Sequence, residues 1–275
     1  MRLAPEHFQS HPLHEAQMAP AQGWRLATSW AASEADLRAA QRLRYTIFAD
    51  EMGARLTPPP GTEPGRDADR FDPFCDHLLV HLVDPLGEEA ARLVGTYRVL
   101  GPDGARRAGG YYTEGEFDLA PLRALRSSAV ELGRACVDAE WRTGGVIMAL
   151  WSALGSYMLE HGLGTMFGCA SIGATDGGLQ ARRIWRHVSA SHLAAPQWRV
   201  APRQPLARLD ESDAAPLPPL PLRELPPLLK GYLRCGARVL GPPSLDPQFN
   251  TADLPIMLRL DELSARYRKQ FLNPQ

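Results

Sequence analysis

The sequence predicts an α/β protein with one mixed sheet flanked by helices, on three observations. Two apolar runs, 77–83 and 93–100, read as strands joined by the polar turn 84–91, so they pair as antiparallel neighbours. Strand-like and helix-like segments follow one another as β-α-β-β-β-α-β-α, which is neither a strict βαβ alternation nor a barrel. No internal repeat marks a solenoid or propeller.

In chain order, residues 1–22 hold three histidines and three prolines without periodicity and are expected to form a tail. Residues 24–30 (WRLATSW) read as a strand. Ser33 is placed as the N-cap of a helix over 34–53, with Leu37, Leu43, Ile47 and Phe48 near helical spacing and Gly53 as the stop. The prolines and glycines of 57–69 demand a loop, and a second loop is expected over 101–116. Residues 129–137 (AVELGRACV) read as a strand, the glycines Gly144 and Gly145 open a helix over 146–161, and 165–172 is a strand followed by a helix over 178–188.

Nine prolines between 196 and 227 suit an extended insertion, because proline removes a backbone donor from helix or sheet. Ordered structure resumes at 228–233, with a strand near 254–258 and a final helix over 261–271. The domain is therefore expected to run over 23–275 around this insertion.

With 30 basic and 31 acidic residues the formal charge is −1, which excludes a nucleic-acid coat. All the cations but Lys230 and Lys269 are arginine, the planar fork that grips carboxylates and phosphates. Cys75, Cys136, Cys169 and Cys235 lack metal-ligand or disulfide-framework spacing, so reduced thiols and no metal site are expected. The first residues lack the apolar stretch of a signal peptide, and the longest apolar run, 146–159, is too short to cross a bilayer. A cytoplasmic location follows, with at most peripheral contact at the inner membrane face.

Several residues could carry chemistry. Glu131 lies on the strand 129–137, where alternation puts Glu131 and Gly133 on one face and Leu132 and Arg134 on the other. A carboxylate there can accept a proton from an attacking amine. Gly144 and Gly145 would let backbone N–H groups approach a phosphate at a helix N-terminus. Asp67, Asp69, Asp72 and Asp76 form an acidic run suited to a cationic group; Pro73 and the missing loop glycine speak against calcium. Arg44, Arg98 and Arg134 lie on three separate elements and could converge on one ligand. No G-x-S-x-G supports a serine hydrolase.

These residues occur within an ordered series. It comprises Arg42-Leu-Arg-Tyr-Thr-Ile-Phe-Ala-Asp-Glu51, Asp69-Arg-Phe-Asp72, Cys75-Asp-His-Leu-Leu-Val80, Gly95-Thr-Tyr-Arg98 and Glu116-Phe-Asp-Leu119. It continues through Glu131-Leu-Gly-Arg-Ala-Cys-Val137, Phe167-Gly-Cys-Ala-Ser171, Leu228-Leu-Lys-Gly-Tyr-Leu-Arg-Cys-Gly236 and Asp246-Pro-Gln-Phe-Asn-Thr251. Over roughly 24–271 the chain resembles the ornithine lipid N-acyltransferases, relatives of the acyl-homoserine lactone synthases in the GNAT superfamily.

The resemblance implies a GNAT-like fold and transfer of a 3-hydroxyacyl chain to the α-amine of L-ornithine. The donor it implies is the acyl-phosphopantetheine of acyl carrier protein, with no permanently bound cofactor and no nucleic-acid partner. It marks Arg44, Phe48, Asp69, Asp72, Arg98, Phe117 and Arg134 for substrate and Glu131 for catalysis. From the acidic run, Asp76 is expected to join Asp69 and Asp72 at the substrate's amino groups, and Gly144 and Gly145 are expected to receive the donor's phosphate. Two departures matter. No tryptophan follows the first helix between 52 and 57, which disfavours lactone synthesis, and the phosphate loop survives only as Arg142-Thr-Gly-Gly145, which disfavours free coenzyme A. Other acceptors, such as glycine or lysine, remain open, as does a non-catalytic, hemolysin-like membrane protein.

Overall fold

The computed structural model describes residues 23–142, 144–206 and 220–272. The expected tail over 1–22 and the centre of the proline-rich stretch lie outside the described residues.

The first strand, β1 (Arg25–Trp30), leads to α1 (Glu34–Tyr45). Ser33 caps α1 in both directions: its hydroxyl accepts from the Asp36 amide at 3.2 Å, and the Asp36 carboxylate accepts from the Ser33 amide at 3.0 Å. Beyond Tyr45 the coil widens into a π-helical turn, Thr46–Glu51, which swings Ile47 and Phe48 into a small core with Cys136 and Phe249. Gly53 follows at φ +71°, the left-handed stop expected of it.

Strands β2 (Asp76–Val83) and β3 (Arg92–Leu100) form the expected hairpin. The expected loop over 101–116 instead contains α2 (Pro102–Ala108). Pro102 at the first turn and Gly109 at φ +79° are helix start and stop signals rather than loop markers. Then come β4 (Phe117–Asp118), β5 (Ala129–Val137), α3 (Gly145–Glu160), β6 (Thr165–Gly173) and α4 (Leu179–His192).

The described ends of the proline-rich stretch are packed. Its β7 (Ala201–Pro202) pairs with β4, and Leu220 and Leu225 enter the main core. The segment 228–233 belongs to α5 (Pro227–Cys235), followed by β8 (Arg238–Val239), β9 (Ser244–Asp246), β10 (Thr251–Arg259) and α6 (Ala265–Leu272).

The main sheet runs β1-β2-β3-β5-β6-β10-β8, with β9 also on β10. Only β5 and β6 are parallel neighbours among these named strands. Their ladder runs from Ala129↔Thr165 to Glu131↔Phe167 and stops there. Further on, β5 keeps β3 and β6 keeps β10, so the sheet splits between them. One face carries the large apolar core under α3, α4 and α5; the other carries α1 and the layer of short turns.

Candidate active site

The site lies on the α1 face beside the split. Antiparallel register puts His77 opposite Arg98 and Arg98 opposite Gly133, so all three share that face. Arg134 joins them by an irregularity. Between Thr96↔Cys136 and Arg98↔Gly133, the single residue Tyr97 of β3 faces Arg134 and Ala135 of β5, and Arg134 takes φ +52°. The bulge shifts the alternation by one residue. Arg134 therefore sits on the same face as Glu131, which corrects the strict alternation expected from the sequence.

Three arginines and three aspartates close an alternating ring. Asp67 accepts from Arg44 Nε and Arg134 Nε, both at 3.0 Å. Asp69 accepts from Arg134 at 3.2 Å and Arg98 at 2.7 Å. Asp72 accepts from Arg98 at 2.9 Å and Arg44 at 2.7 Å, and Gln41 adds a further bond at 2.7 Å. The ring is neutral in sum and buried, with Asp69 the member most open to the cleft, its side chain 18% exposed.

Burial pushes the Asp72 carboxyl upward, but Arg44 and Arg98 outweigh it and hold the group well below the usual carboxylate range. The same balance, with Arg98 and Arg134 as partners, holds Asp69 at about 2. Burial, and next Arg44, push His77 down to about 4. Arg44 Nη1 and Arg134 Nη1 are buried donors without a hydrogen-bond partner.

Glu131 is buried beside the ring. Its carboxylate accepts from the Tyr112 amide at 2.7 Å, from the Thr113 amide at 2.6 Å and from the Thr113 hydroxyl. The turn Tyr112–Gly115 is thereby fastened over the end of the β5–β6 ladder. Glu131, Arg98, Arg134, Tyr112, Thr113 and Cys169 surround a small cavity.

On the opposite face lies a larger, apolar cavity. Leu132, Phe167, Tyr97, Trp151, Tyr232 and Phe271 are among its walls. Leu132 thus lines the apolar cavity while its neighbours Glu131 and Gly133 line the polar one. The two spaces flank the point where β5 and β6 part.

The other residues singled out in the sequence are placed as follows. Phe48 packs edge-on to Phe249, ring centroids 5.8 Å apart, and Phe117 lies fully buried in a second core. Gly144 and Gly145 stand at the N-terminus of α3. Asp76 is not part of the cluster: it accepts from Tyr157 of α3 at 2.7 Å, because a strand residue next to His77 points to the other face. Asp67, which the sequence grouped with the acidic run but gave no role, takes its place in the ring. The D-x-D spacing of Asp67 and Asp69 was the available signal.

Residues 43–152 match the Acetyltransferase (GNAT) domain family. The chain is 37% identical over 249 residues to the L-ornithine N(alpha)-acyltransferase of Rhizobium meliloti, covering 88% of this chain and 82% of that one. It is 36% identical over 239 residues to the same enzyme of Rhodobacter capsulatus, covering 85% and 90%. Among solved structures, FeeM, an N-acyl amino acid synthase from uncultured soil microbes, is similar in fold, with a TM-score of 0.50 at 15% identity. That match covers 90% of this chain and 95% of FeeM. The split mixed sheet is thus the acetyltransferase fold, and the chain belongs to the L-ornithine N(alpha)-acyltransferase family within the GNAT acyltransferases.

Proposed function

We propose that this protein transfers a 3-hydroxyacyl chain from the phosphopantetheine arm of acyl carrier protein to the α-amine of L-ornithine, releasing lyso-ornithine lipid. The observation that carries this reading is the split between β5 and β6, with a charged cavity on one side and an apolar cavity on the other. A thioester lying in the split meets an amino acid from the charged side and sends its chain into the apolar side. The ornithine named for both curated relatives supports the acceptor.

The acceptor's α-ammonium has no lone pair until it gives up a proton, to Glu131 directly or through water. The freed nitrogen then forms a C–N bond with the thioester carbon. Collapse of the tetrahedral adduct breaks C–S, and the surplus proton on the new C–N nitrogen passes to the thiolate, which leaves as thiol. Proton transfer of this kind contributes about 10²–10⁴-fold. Backbone amides near 135–137, on the edge of β5 that β6 has left, would stabilise the oxyanion. Arg98, together with the unpartnered Nη1 of Arg134, suits the acceptor's carboxylate, and Asp69 its α-ammonium before proton loss. Arg44, Asp67 and Asp72 hold Arg98 and Arg134 in place. The N-terminus of α3 at Gly144 and Gly145 suits the pantetheine phosphate.

The test is acyl transfer from loaded carrier protein to a panel of amino acids, read by lipid mass spectrometry. Amide is expected with ornithine, and Glu131→Gln lowers its rate by 10²-fold or more, on the order given above, with the circular dichroism spectrum retained. No amide with any acceptor, or wild-type turnover by the variant, overturns the reading.

A further inference from the structure

The apolar cavity has one polar spot. Of the side chains that line it, Tyr97, Trp151 and Tyr232 carry oxygen or nitrogen and Cys235 a thiol; the rest are apolar. The Tyr97 and Tyr232 hydroxyls lie 3.0 Å apart, and both residues are buried. Trp151 rests against Tyr232, ring centroids 5.0 Å apart. Its indole N–H is buried and close to the Tyr232 oxygen, yet outside hydrogen-bond geometry.

Burial raises both phenols above their ordinary pKa, so they stand as neutral hydroxyls. Phenylalanine at either tyrosine would fill the same space without desolvating a hydroxyl. A buried N–H short of a partner is costly in the same way, and together these groups point to an oxygen-bearing ligand in the cavity. Tyr232 can meet such a ligand. A phenol donates one hydrogen bond and accepts two, so Tyr232 can keep its bond with Tyr97 and still engage a third group.

The place along the sheet fits a group close to the reacting carbon. Tyr97 lies on β3 opposite Arg134 and Ala135 of β5, level with the amides assigned to the oxyanion. Leu132 and Phe167, where β5 and β6 part, line the same cavity. The donor proposed above carries its hydroxyl two bonds from the thioester carbon, so that hydroxyl enters the cavity at the end nearest the split. Buried there without a partner, it would disfavour the 3-hydroxyacyl donor.

Resting on that donor, we propose that Tyr232 and Trp151 bind the hydroxyl on carbon 3 of the acyl chain, with Tyr97 holding the Tyr232 phenol in position. The indole N–H donates to the ligand oxygen, and the ligand hydroxyl shares a second bond with Tyr232. The cavity thereby selects hydroxylated chains over plain chains of the same length.

The test offers an equimolar mixture of carrier proteins, one loaded with a 3-hydroxyacyl chain and one with the unsubstituted chain of equal length, with ornithine as acceptor. Mass spectrometry of the two amides gives the ratio of their kcat/KM values. Wild-type protein is expected to favour the hydroxyacyl donor about tenfold or more, because the plain chain leaves the polar groups of the wall unpaired. Tyr232→Phe and Trp151→Phe should each reduce that preference by more than about threefold, the scale of one buried hydrogen bond. A merely structural defect slows both donors together and leaves the ratio unchanged. A preference within about threefold of wild type in either variant, or wild-type protein that uses both donors equally, overturns the proposal and leaves acyl transfer to ornithine standing. Amide from neither donor overturns the parent reading instead.

Discussion

The side chains of Glu131 and Arg134, three positions apart on β5, leave the sheet on the same face because the backbone turns to φ +52° at Arg134. Without that bulge Arg134 would enter the apolar core and the ring would lack the link between Asp67 and Asp69. Arg134→Met leaves two buried carboxylates short of a partner and is expected to destabilise the protein by about 3–5 kcal/mol in urea unfolding. Arg134→Lys should recover only part of the loss, since one ammonium cannot reproduce the planar fork.

The buried His77 makes stability depend on pH. Its folded pKa of about 4 lies below the ordinary 6.5, so between these values the unfolded chain binds a proton that the folded protein does not. Stability falls as pH drops through that window, by about 3 kcal/mol in all. Arg44, Asp72 and Arg98 are the charges that face the ring, and its Nε2 lies 3.1 Å from the Asp72 carbonyl. His77→Gln should flatten the slope between pH 6.5 and 4, as followed by denaturant titration. The separate loss from Asp69, which comes as pH falls from the unfolded 3.8 toward about 2, should persist.

Trp151 stands in the apolar cavity, with ring contacts to Tyr232 and Phe271 at centroid distances of 5.0 and 6.0 Å. Trp151→Ala should lengthen the preferred acyl chain. The gain is expected to approach fourfold per additional buried methylene, at about 0.8 kcal/mol each. Competition among carrier proteins loaded with chains of different length, read by mass spectrometry of the amides, measures the shift.

The end of that cavity depends on a glycine. A Cβ at Gly155 would lie 2.4 Å from the Phe271 carbonyl oxygen, so α6 rests directly on the backbone of α3. Gly155→Ala should push α6 away and cost about 1–3 kcal/mol, seen as a lower melting temperature.

Asp76 supplies a control for the location of the site. Its bond to Tyr157 lies on the α3 face, and Asp76→Asn keeps an oxygen that can accept it. Acyl-transfer rates should change by no more than about threefold, since the half-buried bond to Tyr157 is kept and is remote from the charged cavity. A loss comparable to that of Glu131→Gln would place substrate on the other face of the sheet.

Much of the site was legible in local patterns. The alternation of 129–137 marked a strand, and the acids at 67, 69 and 72 and the arginines at 44, 98 and 134 were visible as candidates for one ligand. Two features were not legible. Bulge position depends on how β3 pairs with β5, so the face of Arg134 is a property of two strands rather than one. Asp76 belongs to the same acidic run as Asp72, yet the strand begins between them and sends it to the opposite face.

The sequence by itself determined the order of the main elements, the hairpin of β2 and β3, the cap of α1 and the stock of charged groups. Each of these rests on interactions within a few residues, which local spacing encodes. Tertiary structure alone decided that the arginines would meet aspartates in a closed ring, that Glu131 would fasten the turn at Tyr112 and Thr113, and that Tyr97 would meet Tyr232. Those contacts join residues many positions apart and exist only once the sheet has brought its strands into register. The same holds for the split between β5 and β6. Nothing in either strand announces it, because it arises where β3 and β10 hold their neighbours and the two strands between them part.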